Sequence, residues 1–174
     1  CDAALTVVCE GKSSHAREAL GVRSTVTAYP QRAIAGRLRC DRPHEQNARQ
    51  WFRGGEILAF LPVDGPQGNS VAFVWSVLQE RSANLMAQSD EALCRELETF
   101  SALALGPLEM TGERGMWPLQ LAQVDRWIGG QPGKAWALAG DAAHSVHPLA
   151  GQGLNLGLED AAVLTETIRA REYW

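Results

Sequence analysis

The stretch Leu138-Ala139-Gly140-Asp141-Ala142-Ala143-His144-Ser145-Val146-His147-Pro148-Leu149-Ala150-Gly151-Gln152-Gly153-Leu154-Asn155-Leu156-Gly157 decides the fold. Ala135-Trp136-Ala137-Leu138-Ala139 leads into it, a short apolar run that reads as a fully buried strand. Asp141 stands where that strand ends. A loop rich in Gly and Pro follows, and Gly151-Gln152-Gly153 opens a helix that runs to about Arg171. The expected apolar stripe of this helix is Leu154, Leu158, Ala161, Thr165 and Ile168. Open α/β sheets bind ligands at the carboxyl ends of their strands. A carboxylate there accepts hydrogen bonds from ribose-like hydroxyls. Glycines at a helix start leave backbone N–H groups approachable, at the positive end of the helix dipole. The pattern suits an anionic or electron-rich ligand edge. The competing reading makes Asp141 and the glycines plain turn formers.

Outward from this unit, the front of the chain repeats the strand-turn-helix order. Residues 3–9 read as a strand, Glu10-Gly11-Lys12-Ser13-Ser14 as a turn, and a serine caps a short helix to about Leu20. The middle reads as strand-rich with one helix. Residues 32–40 alternate as a half-buried strand, and residues 48–53 and 56–62 flank Gly54-Gly55 as a hairpin. Residues 71–77 form a further strand. Ser89-Asp90-Glu91 starts the helix, with a stripe of Leu93, Leu97, Phe100 and Ala104 and a stop at Gly106-Pro107. Residues 113–123 read as extended and 129–133 as a surface turn. The expected fold class is α/β with α+β character: a mixed-sheet domain over 25–125, inserted between two pieces of a Rossmann-like domain at 1–24 and 126–174.

Composition narrows the functional classes. The chain has 174 residues, with 45% hydrophobic and 21% charged residues, the balance of a globular protein. Sixteen Lys and Arg against twenty Asp and Glu give a net charge of −4, so no nucleic-acid partner is expected. No apolar run reaches transmembrane length. Cys1, Cys9, Cys40 and Cys94 are not at metal-clip spacing and read as reduced, mostly buried thiols of a cytoplasmic protein. Both ends read as cut from a longer chain.

Gly140-Asp141-Ala142-Ala143-His144, then Pro148, Gly151-Gln152-Gly153, Asn155 and Asp160, resemble the second flavin motif of FAD-dependent aromatic hydroxylases. These are NAD(P)H-using flavin monooxygenases of the para-hydroxybenzoate hydroxylase type. The fuller wording, His147 to Ala162, is most similar to the ubiquinone-biosynthesis branch, which hydroxylates polyprenylated phenols. Glu10-Gly11-Lys12-Ser13-Ser14-His15-Ala16-Arg17 resembles the family's Asp-Gly motif, with Glu10 where Asp is usual. The middle also resembles the branch at Tyr29 and Gln31, Pro43-His44, Gln50-Trp51-Phe52, Leu61-Pro62, Val74-Trp75-Ser76 and Trp117-Pro118-Leu119.

The resemblance implies FAD as cofactor and NAD(P)H as electron donor. It implies cofactor contacts from Gly140, Asp141, Gly151, Gln152, Gly153, Asn155, Glu10, Gly11 and Arg17, with Pro148 at the reacting face. For Arg17 a solvated helix arginine is the other reading. The implied substrate is an aromatic small molecule, a prenylated phenol, met peripherally at the inner membrane face or in a biosynthetic complex. A reductase or halogenase sharing the motif, and a non-catalytic substrate-binding domain, are the alternatives. The family's Gly-x-Gly-x-x-Gly element for the ADP half of FAD does not occur in these residues, so this stretch by itself is expected to hold no FAD and to be inactive. His144, His147 and Asp141 have metal-like spacing, but the loop composition argues against a metal. Asp141-His144-Ser145 holds triad residue types without a nucleophile elbow. Trp51, Trp75 and Trp117 read equally as core or as lining of a substrate cavity.

Overall fold

A computed structural model describes residues 3–65, 67–146 and 151–171. Pro148 and His147 lie outside them. The chain divides into two compact units, residues 29–119 and residues 1–28 with 120–174.

The unit of residues 29–119 is an antiparallel sheet with two helices. Its strands are β2 (Ser24–Cys40), β3 (Arg49–Arg53), β4 (Glu56–Pro62), β5 (Ser70–Leu78) and β6 (Leu108–Met110), ordered β2-β5-β4-β3 with β6 pairing β2. The β3–β4 hairpin turns at Gly54 and Gly55, with φ of +58° and +81°. Two consecutive positive φ angles are what a tight two-residue hairpin demands, and glycine supplies them without strain. One face of the sheet carries Ile34, Leu38, Leu58, Phe60, Val71, Phe73, Trp75 and Val77 into the core. The helices α2 (Gln79–Ala87) and α3 (Asp90–Phe100) cover it with Leu85, Leu93 and Leu97.

Helix α2 was not expected. Only Ser82 and Leu85 of its nine residues are buried, too few to show an apolar stripe. Ser89 caps α3 as its sequence implies, accepting from the Ala92 N–H. The helix stops at Phe100, short of Gly106-Pro107, because Ala102 and Leu103 both turn to φ +54°. That turn sends Leu105, not Ala104, into the core. Trp75 is fully buried edge-on to Phe100, and Trp51 packs edge-on to Phe60 against the same core. Both are core residues. Trp117 is 55% exposed.

The unit of residues 1–28 and 120–174 holds β1 (Leu5–Val8), α1 (His15–Ala19) and the start of β2. It also holds the end of β7 (Gly115–Val124), β8 (Ile128–Gln131), β9 (Lys134–Leu138), β10 (His144–Ser145) and α4 (Gln152–Ala170). Strand β1 runs parallel to β9, from Leu5 opposite Ala135 to Val8 opposite Leu138. The two sequence-distant strand-turn-helix units thus end side by side, and their loops leave from the same end. Strand β10 pairs with β7.

Three expectations are corrected in this unit. Of the expected surface turn 129–133, residues 129–131 belong to strand β8 and only 132–133 turn, because β8 pairs antiparallel with β9 and the Trp136 ring covers Gly129. Strand β9 is buried only at Ala137 and Leu138, its first residues being exposed. Helix α4 buries none of its residues, and Leu154 and Leu158 are 74% and 60% exposed. The half-buried positions are Gly153, Leu156, Gly157, Asp160, Leu164 and Ile168, a stripe turned one residue away from the expected one. Asp160 explains the turn, since its carboxylate has partners on that side.

Candidate functional site

Arg17 ties the two motifs together. It stands on α1, 8% exposed, so it is not a solvated helix arginine. One guanidinium nitrogen donates to the Ala142 carbonyl at 3.0 Å, and another to the Lys12 carbonyl at 2.9 Å. The Nε of Arg17 is buried without a partner among the described residues. A guanidinium that crosses between loops in this way fixes them against each other, because its donors form a rigid fork.

The loop before α1 is built around Glu10. Its carboxylate accepts from the Ser14 hydroxyl at 2.8 Å and from the Ala16 N–H at 3.0 Å. Ser14, fully buried, caps the helix by accepting from the Arg17 N–H at 3.1 Å. The Ala16 N–H first, and then the Ser14 hydroxyl, hold the Glu10 carboxyl below its usual range. The longer side chain of Glu10 therefore serves the helix start. Gly11 sits beside it at φ +82°.

The second motif folds as a tight 3-10 turn, Gly140–Ala142, directly after β9. Gly140 takes φ +59°, a left-handed conformation that other residues adopt with strain. Its N–H donates to Asp160 at 2.7 Å. Asp141 is exposed and lines a cleft of about 290 Å³ with Lys12, Arg17, Glu18, Ser24 and Gln120. Asp141 and Arg17 thus share one cleft although 123 residues separate them. Gly151 caps α4 in a left-handed conformation, and as a glycine it supplies no side chain to the first N–H groups of the helix. Gln152, Gly153 and Asn155 form its first turn.

Two residues of this site were missed as site residues. Asp160 accepts from Gly140 and pairs with His144 Nε2 at 2.8 Å, and the Trp127 ring stacks on His144 at 4.9 Å. With a carboxylate as acceptor, Nε2 carries the proton. His144 is thus engaged by Asp160, and among the described residues no three or more His, Cys, Asp or Glu side chains cluster as metal ligands; His147 of the weighed constellation lies outside those residues. Asp160 stood in the quoted motif, but only the turn of α4 brings it beneath Gly140. Of the cysteines, Cys40 and Cys94 are buried and Cys9 is exposed. Burial first, then the Asp64 charge, pushes the Cys40 thiol up to about 11.

A family profile described as "FAD binding domain" matches residues 1–171. The chain belongs to this FAD-binding family. Within the family it is 34% identical, over 98% of its length, to the ubiquinone hydroxylase UbiL of Rhodospirillum rubrum. It is 30% identical, over 98% of its length, to the 3-demethoxyubiquinol 3-hydroxylase of Escherichia coli. The chain spans about two fifths of the length of these curated relatives, 38% and 42%. Among solved structures it resembles PqsL of Pseudomonas aeruginosa, described as a probable FAD-dependent monooxygenase, with a TM-score of 0.74 and 27% identity. That match covers 94% of this chain and 45% of PqsL.

The site fits part of a flavin dinucleotide. A carboxylate without a partner among the described residues suits ribityl hydroxyls, and the N–H groups that Gly151 leaves without a cap side chain at the start of α4 suit an electronegative ring edge or a phosphate.

Proposed function

We propose that the native-length protein is an FAD-dependent monooxygenase that hydroxylates an aromatic ring, and that its substrate is a prenylated phenol of ubiquinone biosynthesis. The observation that carries this reading is the Arg17 bridge, which brings the Glu10–Arg17 loop and the Gly140–Ala142 turn to one cleft. Both motifs resemble flavin-contacting segments, and the relatives are hydroxylases by name. Bound FAD would supply the redox chemistry that activates O2. The net reaction is NAD(P)H + H⁺ + O2 + phenol giving NAD(P)⁺ + H2O + the ring-hydroxylated product.

The residues of this chain would hold and orient the cofactor. Asp141 would accept from its ribityl hydroxyls. The N–H groups at Gly151, Gln152 and Gly153, with Asn155, would serve its pyrimidine side. Glu10 and Gly11 shape the loop, and Arg17 keeps that loop against the turn. Pro148 would stand at the reacting face. Among the described residues no helix is long and apolar enough to cross a membrane. We place contact with the prenylated substrate at the inner face of the membrane, met peripherally.

The test is Asp141→Ala in the native-length protein. A charge-assisted contact is worth about 1.5–3 kcal/mol, which predicts flavin affinity weakened about ten-fold or more. Unchanged flavin occupancy after gel filtration would refute the assignment of Asp141. Turnover of hydroxybenzoates with no activity on prenylated phenols would refute the substrate class.

A further inference from the structure

We infer that Asp160 is the positioning residue of the flavin site. It acts through the Gly140–Ala142 turn and sets where the Asp141 carboxylate stands relative to the start of α4. The inference rests on the flavin reading above and names what holds that site in shape.

Asp141 carries no hydrogen bond or ion pair to the described residues, so its direction is set by the backbone of its turn. That backbone is restrained from three sides. One oxygen of Asp160 accepts both the Gly140 N–H at 2.7 Å and the His144 Nε2–H at 2.8 Å, and so grips the turn at its first residue and just beyond its last. The Trp127 ring stacks on His144 at an interplanar angle of 18° and leaves the imidazole little freedom to swing away. Gly157, one turn before Asp160 on α4, lies directly against the turn. A Cβ at this position would come to 3.6 Å from the Gly140 Cα, an ordinary van der Waals contact, so α4 packs closely against the turn. From the other side, Arg17 holds the Ala142 carbonyl.

Asp160 is half-buried and stands eight residues along α4 from Gln152, about 12 Å at the helical rise. A single carboxylate therefore couples the two parts of the proposed flavin contact. One is the acceptor at Asp141, and the other is the set of N–H groups at the start of α4. Gly140 holds a left-handed conformation, and the Asp160 bond selects it over the extended one. Without the bond the turn can relax, and Asp141 loses its aim while keeping its chemistry.

The experiment uses the native-length protein and the variants Asp160→Ala, Asp160→Asn, Asp141→Ala and the double alanine variant. Each is measured for FAD dissociation constant by flavin fluorescence. In the FAD-free protein, exchange of the Gly140 amide is followed by NMR. Asp160→Ala is expected to speed that exchange at least ten-fold and to raise the FAD dissociation constant about ten-fold. Asp160→Asn keeps an acceptor oxygen, and is expected to stay within three-fold of wild type in both. The double variant is expected to bind FAD no more weakly than Asp141→Ala alone, because the effect of Asp160 passes through Asp141. Wild-type Gly140 exchange in Asp160→Ala overturns the inference. So does faster exchange with unchanged FAD affinity, which would make Asp160 a structural staple only, and so do additive losses in the double variant. Should Asp160→Ala fail to fold, Asp160→Asn losing both Gly140 protection and FAD affinity also overturns it. Wild-type FAD affinity in Asp141→Ala is a different failure. It refutes the flavin reading, while Gly140 exchange alone then decides whether Asp160 locks the turn.

Discussion

Among the described residues of 29–119, fourteen buried side chains interlock around Trp75, Phe73 and Phe60. In residues 1–28 with 120–174, the buried apolar cluster among the described residues holds Val8, Val22, Leu138, Ala142 and Ala143, and α4 adds no buried residue. The second unit is joined by polar links instead. Arg17 reaches Ala142 and Lys12, Asp160 reaches Gly140 and His144, and Arg23 pairs with Asp125 at 3.2 Å. Apolar packing is nondirectional and tolerates sliding. Hydrogen bonds fix orientation to fractions of an ångström but contribute less net stability. The first unit is built as a scaffold. The second is built as a site, where orientation matters more than bulk.

The largest expected effect tests the scaffold. Trp75→Ala opens a cavity in a fully buried position and is expected to cost about 3–5 kcal/mol in urea denaturation. Val8→Ala, at the heart of the other cluster, is expected to cost about 2 kcal/mol. Equal costs would remove the contrast between the units.

The next effect tests the polar frame. Arg17→Met removes two charge-assisted bonds to backbone carbonyls and is expected to cost about 2–4 kcal/mol, read as faster amide exchange in residues 10–20 and 140–145. Arg17→Lys should recover less than half, since an ammonium cannot span both carbonyls as the guanidinium fork does. Full recovery by lysine would show that charge, and not geometry, holds the loops.

A smaller effect sharpens the comparison at two helix caps. Ser14→Ala loses a buried hydroxyl that donates to Glu10 and accepts from Arg17, and is expected to cost about 1–2 kcal/mol. Ser89→Ala removes an exposed cap of α3 and is expected to cost about 0.5–1 kcal/mol. The reverse order would mean that the core beneath α3 amplifies its cap.

Acid separates the units least. The Ala16 N–H and the Ser14 hydroxyl lower the Glu10 pKa, and the His44 hydrogen bond, with those from Ser70, lowers that of Asp64. A lowered carboxyl contributes stability above the ordinary carboxylate range, about pH 4, and loses it as pH falls through the lowered value. Below that range the Ala16 amide is expected to lose exchange protection before Trp75 emission changes, because Glu10 lies in the unit with the smaller core. Simultaneous changes would show a single cooperative transition.

The strand before Gly140 and the helix after Gly151, the Gly54-Gly55 hairpin, the Ser89 cap and a serine cap within Ser13-Ser14 were legible in the chain itself. Each depends on neighbours within a few residues: glycines for positive φ, serines for bare N–H groups, alternation for a half-buried strand. The parts that depend on distant partners were not legible. Residues 129–133 read as one turn, yet 129–131 pair with β9 and Trp136 covers Gly129, which leaves the turn at 132–133. Helix α4 presents a leucine stripe in sequence, yet Asp160 turns the neighbouring face inward. Arg17 had two equal readings, and only the parallel pairing of β1 with β9 sets its helix within reach of the Ala142 carbonyl. Local sequence determines backbone shape because its energies act within one or two turns of chain. Which side chain meets which carbonyl across 125 residues is decided by the pairing of strands, and that follows from the energy of the whole fold.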